Sequence, residues 1–208
     1  MRRDLGIKTY FVTRMAIIYK HGGFYSDLDS ITMKDLSSVR NTIGQEDWYT
    51  PSGEFHFEQG HDVMKESMNL VSETYNGTSR IEVGPVLGKI QANTQNIDQH
   101  YTFSVTRAIL NVYKAKTIKD VIMKVDKKDI TIEKTEFFYP IDAGVAAKLF
   151  KAPEKGKTWS SIFDSAHMAH FYGHQTAFKR VRRDVKTEAY AYLGPKYCPV
   201  AYWLSEPF

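Results

Sequence analysis

Apolar side chains recur at helical spacing near the start of the chain. In TYFVTRMAIIYKHGG (residues 9–23), Phe11, Met15 and Ile18 share one face, and Val12 and Tyr19 widen it. Thr9 is placed to cap the start, while Gly22 and Gly23 supply the stop. FYSDLD then reads as a short extended segment running into a loop. A second helix is predicted over His61–Tyr75, where Val63, Met68, Val71 and Tyr75 approximate the same period and YNG marks a turn. GPVLGKIQANTQN predicts another helix, with Pro85 tolerated in its first turn.

Between Asp120 and Glu133 the period shortens. VIMKV and ITI, separated by DKKD, read as two strands joined by a tight turn. FFYPI reads as a strand or extended edge, followed by the short helix AGVAAKLF. KAPEKGKTWS is a loop, AHMAHFYG a strand, and VKTEAYAYLG a final helix closing at Gly194. There is no internal repeat, heptad run or low-complexity tract. The pattern is mixed α/β with mostly short connections. Nothing before the first helix resembles the strand, Gly-rich turn and helix that open a nucleotide pocket.

Composition narrows the class. The 208 residues are 42% hydrophobic and 25% charged, enough apolar material for a real core and unlike a disordered chain. The net charge of +4 is compatible with anionic small molecules or a negative surface, and its dispersal argues against nucleic acid. The densest basic run, KRVRR at Lys179–Arg183, reads as a solvated helix face. Cys198 is the only cysteine, which excludes an internal disulfide and reads as a buried, unreactive thiol. No stretch approaches the roughly 20 apolar residues that span a bilayer, and the opening residues lack the apolar run of a signal peptide. NGT at Asn76–Thr78 fits a glycosylation acceptor.

The chemistry concentrates in HGGFYSDLDSI, residues 21–31. In an extended segment Asp27 and Asp29 would point to one face, roughly 6–7 Å apart. Unpaired they repel; a divalent cation removes the conflict by taking them as oxygen ligands or as anchors of its bound waters. Hard oxygen donors favour Mg²⁺ or Mn²⁺, whose remaining positions suit a diphosphate. An ordinary acidic turn is the plain alternative, and on the D-x-D spacing alone it would be preferred. Gly22 and Gly23 change the balance, because they permit close backbone approach beside the acids. Arg14, Lys20 and His21 lie nearby in sequence and would add positive charge. DLDSI also comes near the D-x-D-x-(Thr/Val) signature of phosphatases resembling haloacid dehalogenases, but lacks the apolar strand that precedes their first Asp.

TRMAIIYKHGGFYSDLDSITMKDL resembles the DXD-containing sugar-binding region of the α-1,4-galactosyl- and N-acetylglucosaminyltransferase family. Arg14, Tyr19, Lys20, Gly22, Gly23, Tyr25, Asp27, Asp29 and Leu36 fall in register. Further along, Gly53, Phe55 and Glu58 fit an Asn-Gly-x-Phe segment and its following Glu, with Ser52 where Asn is common. Gly84 and Pro85 fit a Gly-Pro helix start, and FFYPI a Phe-x-Pro segment. His170 fits an Ala-x-His-x-Trp segment with Tyr172 in place of Trp, and KYCP the common ending. Tyr10 and Phe11 stand where the family has Ser-Asp.

The resemblance implies an α/β fold of GT-A type, in one partial domain over residues 1–208 that lacks its N-terminal Rossmann-like portion. Residues 1–40 would hold the DXD region and 60–208 the C-terminal α-1,4-glycosyltransferase region. It implies a retaining, metal-dependent hexosyltransferase using Mn²⁺, or Mg²⁺. The donor would be UDP-galactose or UDP-N-acetylglucosamine, and the acceptor a glycolipid or glycan hydroxyl. It also implies a Golgi-lumenal type II membrane protein, membrane-associated through an N-terminal anchor missing from this chain. By family role Asp29 is the direct metal ligand, and Asp27 contacts ribose or donor sugar, or reaches the ion through water. His170 is a candidate to complete the metal and diphosphate site; a satisfied core histidine is its structural alternative. Arg14, Lys20, Gly22 and Gly23 are donor-side candidates. Glu58 is a candidate catalytic carboxylate, with acceptor-hydroxyl or helix-cap partner as its other readings. Trp159 and Trp203 are candidates to stack on a sugar, or core residues. A catalytically silent glycan-binding remnant of the scaffold is the alternative of a different class.

Overall fold

Helix α1 runs from Arg2 to His21 and buries Phe11, Met15 and Ile18, the face its spacing predicts. It begins before Thr9, so that residue lies inside the helix and does not cap it. Gly22, at φ +67°, ends the helix with its N–H on the Ile18 carbonyl at 2.8 Å. The computed structural model describes residues 2–46, 48–74, 98–176 and 188–204. The predicted helix at Pro85, the NGT triplet and the KRVRR run lie outside the described residues. Two compact units emerge, one formed by residues 1–25 and 39–132, the other by 26–38 and 133–208.

The first unit is built on a four-stranded sheet in the order β1-β4-β3-β5. Its strands are β1 (Gly23–Ser26), β3 (Thr42–Gly44), β4 (Glu54–Phe57) and β5 (Thr131–Glu133), with β1 and β5 ending at the unit's boundary. Strands β3 and β4 are antiparallel, Thr42 opposite His56 and Ile43 opposite Phe55. Helices α2 (Asp62–Thr74), α3 (Asp98–Val112) and α4 (Ile118–Lys124) complete it. Met15, Ile43, Phe55, Phe57, Val63, Met64, Val105 and Ile109 form one sealed core. Burial of each such side chain favours folding by about 1.5–3 kcal/mol relative to exposure.

The second unit pairs β2 (Ser30–Thr32) with β6 (Met168–His170), and β6 is the strand AHMAHFYG predicts. Around them lie α5 (Thr135–Phe138), a 3₁₀ helix (Ala143–Phe150), α6 (Trp159–Phe163), α7 (Gly173–Thr176), α8 (Ala189–Tyr197) and α9 (Pro199–Leu204). Phe138, Tyr139, Leu149, Phe163, Met168 and Leu193 are fully buried within it.

Several expectations fail for local reasons. VIMK is helix α4, not a strand. Thr117 Oγ accepts from the Asp120 N–H at 3.1 Å while the Asp120 carboxylate accepts from the Thr117 N–H at 3.0 Å. That reciprocal cap starts a helix, and Ile118 and Val121 fill the inward face. ITI does form a strand, β5. The first residues of FFYPI close the helical turn α5, with Phe138 inward. The helix does not close at Gly194 but continues through Pro195 to Tyr197, and Gly194 is small where the Tyr202 ring of α9 packs on it. VIMKV is apolar at four of its five positions, so neither period is visible within it.

Candidate functional site

Strand β1 ends at Ser26, Asp27 follows, and Leu28 and Asp29 form a turn before β2 begins at Ser30. The acids therefore do not alternate along a strand as the spacing suggested. They converge because the chain bends between them and turns Leu28 fully to solvent. The antiparallel register sets Ser30 opposite His170, and the Phe171 N–H donates to the Asp29 carbonyl at 2.8 Å. This pairing, across 141 positions of sequence, carries the His170 imidazole onto the aspartates.

His170 Nε2 lies 3.1 Å from Asp29 Oδ1 and 3.9 Å from Asp27 Oδ2. The second Asp29 oxygen, Oδ2, accepts a short hydrogen bond from the Gly173 N–H at the start of α7. A Cβ added at Gly173 would stand 2.9 Å from that oxygen, so the residue is small where the carboxylate passes. The His170 ring is flanked by Tyr172 at 4.4 Å and Tyr139 at 5.9 Å between centroids. Tyr172, at φ +52°, donates its hydroxyl to the Ile141 carbonyl at 2.8 Å. The imidazole is thus held by aromatic walls, its side chain 11% exposed, while Asp29 remains 32% exposed and open to a ligand.

Burial pushes the Asp29 carboxyl upward. The His170 hydrogen bond and charge, with the Gly173 N–H, outweigh it and bring the group down to about 2. Asp29 is accordingly an anion at any physiological pH.

One oxygen from each aspartate and one histidine nitrogen lie within 4.8 Å of one another. That donor set fits a divalent cation. Carboxylates suit hard cations such as Mg²⁺ and Mn²⁺, and an imidazole adds a nitrogen donor that first-row transition metals accept. Gly173 supplies a hydrogen bond that orients the Asp29 carboxylate, as an outer partner does for a carboxylate that holds a cation. Sequence reasoning missed Gly173, because its contribution is a backbone N–H that no side-chain letter announces.

Most of the other sequence candidates belong to the first unit. Arg14 is 8% exposed and donates through Nη1 to the Ser52 carbonyl at 2.6 Å, with its guanidinium 4.7 Å over the Tyr25 ring. Lys20 and His21 are exposed in the last turn of α1. A Cβ at Gly22 would meet the Gln59 nitrogen at 2.8 Å, so its close approach is to the chain leaving β4. Gly23 adopts φ +111° at the start of β1. The Glu58 side chain is exposed, its N–H donates to Asn41 Oδ1 at 2.9 Å, and its carbonyl accepts from His61 just before α2. In the second unit Trp159 is buried against Phe163, whereas Trp203 is exposed. Cys198 is partly exposed, not buried.

Comparison with known proteins identifies the family. Residues 93–205 match the model of the alpha 1,4-glycosyltransferase conserved region, and residues 4–49 that of the glycosyltransferase sugar-binding region containing the DXD motif. The chain belongs to the α-1,4-glycosyltransferase family. Among its relatives is lactosylceramide 4-alpha-galactosyltransferase of Pan troglodytes, 26% identical over 193 residues that cover 91% of this chain and 48% of the relative. The Mus musculus protein of that name is 34% identical over 76 residues, 36% of this chain and 21% of its own. Human alpha-1,4-N-acetylglucosaminyltransferase is 33% identical over 75 residues, 36% of this chain and 22% of its own. The chain spans about half the length of the first of these. No solved structure matches it. Family membership leaves the phosphatase reading of DLDSI without support. Among the described residues no helix is long and apolar enough to cross a membrane.

Proposed function

We propose that the chain takes part in moving galactose or N-acetylglucosamine from a UDP-sugar to a glycolipid or glycan hydroxyl, forming an α-1,4 linkage with retention at the anomeric carbon. The observation that carries this reading is the convergence of Asp27, Asp29 and His170 at one point. A Golgi-lumenal setting and a GT-A-type donor fold go with it. Asp29 and His170 would hold a divalent cation, Mn²⁺ in the first instance, with Asp27 beside them contacting the donor directly or through water.

Cleavage of the sugar–phosphate bond builds negative charge on the departing diphosphate, and a bound cation supplies the charge that stabilises it. The chain's own residues prepare that centre. Gly173 and the β2–β6 pairing fix the Asp29 carboxylate, leaving it ionised and aimed. Tyr139 and Tyr172 pack against the imidazole beside the acids. Preorganisation of this kind favours the transition state because little reorientation is left for the reaction itself.

The test is calorimetric Mn²⁺ binding and UDP-sugar turnover, with and without metal, for the chain and for Asp29→Asn. Metal-dependent donor binding that the substitution removes is expected. Donor binding or turnover that proceeds equally without metal, and is indifferent to the substitution, overturns the reading. Proton NMR of any product decides retention.

A further inference from the structure

The second unit buries one carboxylate that the cation site does not use. Glu188 is 6% exposed, and its Oε2 is sealed from water with no hydrogen-bond donor among the described residues. It stands just before α8, where a side chain ordinarily caps the helix, yet it makes no such bond. Only its carbonyl serves the helix, accepting from the Tyr192 N–H at 3.2 Å. Buried acceptors without a donor are rare in folded proteins and costly to leave unmet.

The start of α8 belongs to the same framework as the Asp29 centre. Helix α8 packs on β2, which begins directly after Asp29. Tyr190, in the first turn of α8, sets its ring 6.0 Å from that of Phe171, edge to face. Phe171 follows His170 in the chain, and its N–H holds the Asp29 carbonyl.

We propose that Glu188 is a sugar-binding residue, its carboxylate accepting hydrogen bonds from hydroxyls of a hexose held beside the Asp29 centre. The inference rests on the sugar-transfer reading and adds to it a residue that the cation does not need. A carboxylate accepts and cannot donate, so its partner must bring protons. The diphosphate of a nucleotide-sugar brings none at neutral pH. A cation brings charge, but it would sit at the positive end of α8, which opposes it. A hexose presents adjacent hydroxyls, and a charged acceptor binds them more strongly than a neutral one does. The hexose of the donor and that of the acceptor share this chemistry.

The experiment is calorimetry of the 208-residue chain with Mn²⁺, titrated separately with UDP, UDP-galactose, UDP-N-acetylglucosamine and lactose. Glu188→Gln should bind the nucleotide-sugars about tenfold more weakly, with UDP and Mn²⁺ held as in the parent, where the hexose is the donor's. A loss of that size confined to lactose assigns the residue to the acceptor. Glu188→Met removes the buried acceptor altogether. Its loss should be at least as large, and its melting temperature no lower than the parent's, because an orphaned carboxylate leaves the interior. A Glu188→Met protein that melts lower and binds every probe like the parent makes Glu188 a residue of the fold and overturns the proposal. A loss shared equally by UDP also overturns it, since UDP carries no hexose. UDP that binds while neither variant weakens any sugar-bearing probe strikes this proposal alone. UDP that does not bind the parent with Mn²⁺ strikes the sugar-transfer reading, and this proposal with it.

Discussion

Arg14 and Asp29 are charged groups partly or wholly withdrawn from water, one in each unit, and they are settled in opposite ways. The Arg14 guanidinium donates to the Ser52 carbonyl and lies over the Phe11 and Tyr25 rings, so fixed groups of the fold hold it in place. Asp29 is placed beside a second carboxylate, with the His170 imidazole within 4 Å of both and the Gly173 N–H on the second Asp29 oxygen. A charge clamped to backbone and rings is built like a part of the scaffold. Two acids aimed at one point raise the energy of the empty site and lower that of the site with a cation. The contrast separates stability from chemistry, and it can be broken at either end.

The largest effect is expected at Asp29. Asn keeps the shape and one acceptor for Gly173 but removes the charge, so Mn²⁺ affinity should fall by at least about a hundredfold, beyond the usual loss for an outer partner of a ligand. The melting temperature of the metal-free protein should fall only modestly at neutral pH, because Asn gives up the stability the ionised carboxylate draws from His170 and Gly173. A large drop in melting temperature with intact metal affinity would make Asp29 a scaffold residue. Arg14→Met should behave in the mirror image. The Ser52 carbonyl loses its donor, a penalty of about 1–3 kcal/mol for a buried unsatisfied group. Chemical denaturation should register that loss while Mn²⁺ affinity stays within about twofold. Weaker donor binding at unchanged stability would move Arg14 into the site and erase the contrast.

Gly173→Ala comes next. The new methyl meets Asp29 Oδ2 at 2.9 Å and must displace it, because the N–H to which that oxygen is bonded belongs to the same residue. Mn²⁺ binding should weaken by about tenfold to a hundredfold, the range seen when the groups orienting a ligand are disturbed. Alanine is the better helix former, so α7 itself should not suffer. Unaltered binding would show that Asp29 finds its position without Gly173.

These same residues show what the sequence could and could not disclose. The α1 face was readable because Phe11, Met15 and Ile18 keep one period over two turns and all three are buried. The acidic pair was readable as a likeness to a family motif, although its geometry was not. The expected strand alternation gave way to a turn at Leu28–Asp29, and only the pairing of β2 with β6 sets His170 beside the aspartates. Register between strands so far apart in sequence depends on what the intervening core allows, and no short window carries it. VIMKV was misread because its branched residues favour a strand, while the deciding signal, a Thr three positions before an Asp, lay just upstream. Helix α3 and strands β3 and β4 carried no pattern strong enough to be named in advance. Glu58 stood out only by likeness; in the fold its backbone serves the exit from β4.

The smallest expected effect contrasts the two units by pH. Burial first, then the charges of Asp129 and Asp62, push the Tyr113 phenol of the first unit up to about 12. The unfolded chain ionises near the ordinary value of 10.0, so folding favours the protonated phenol. That contribution is fully present below pH 10 and is lost as pH rises towards 12. In the second unit the sign reverses. The Asp29 carboxyl, down at about 2 from 3.8, contributes above its ordinary value and loses that contribution as pH falls through 2. Denaturation of the metal-free protein across the pH range should therefore show an alkaline decline that Tyr113→Phe flattens and an acid decline that Asp29→Asn flattens, each leaving the other limb in place. If Tyr113→Phe leaves the alkaline limb unchanged, the phenol is as free to ionise in the folded protein as in the unfolded chain. In that case the first unit does not shield it, and the assignment of charge tuning to one unit and sealing to the other fails at that residue.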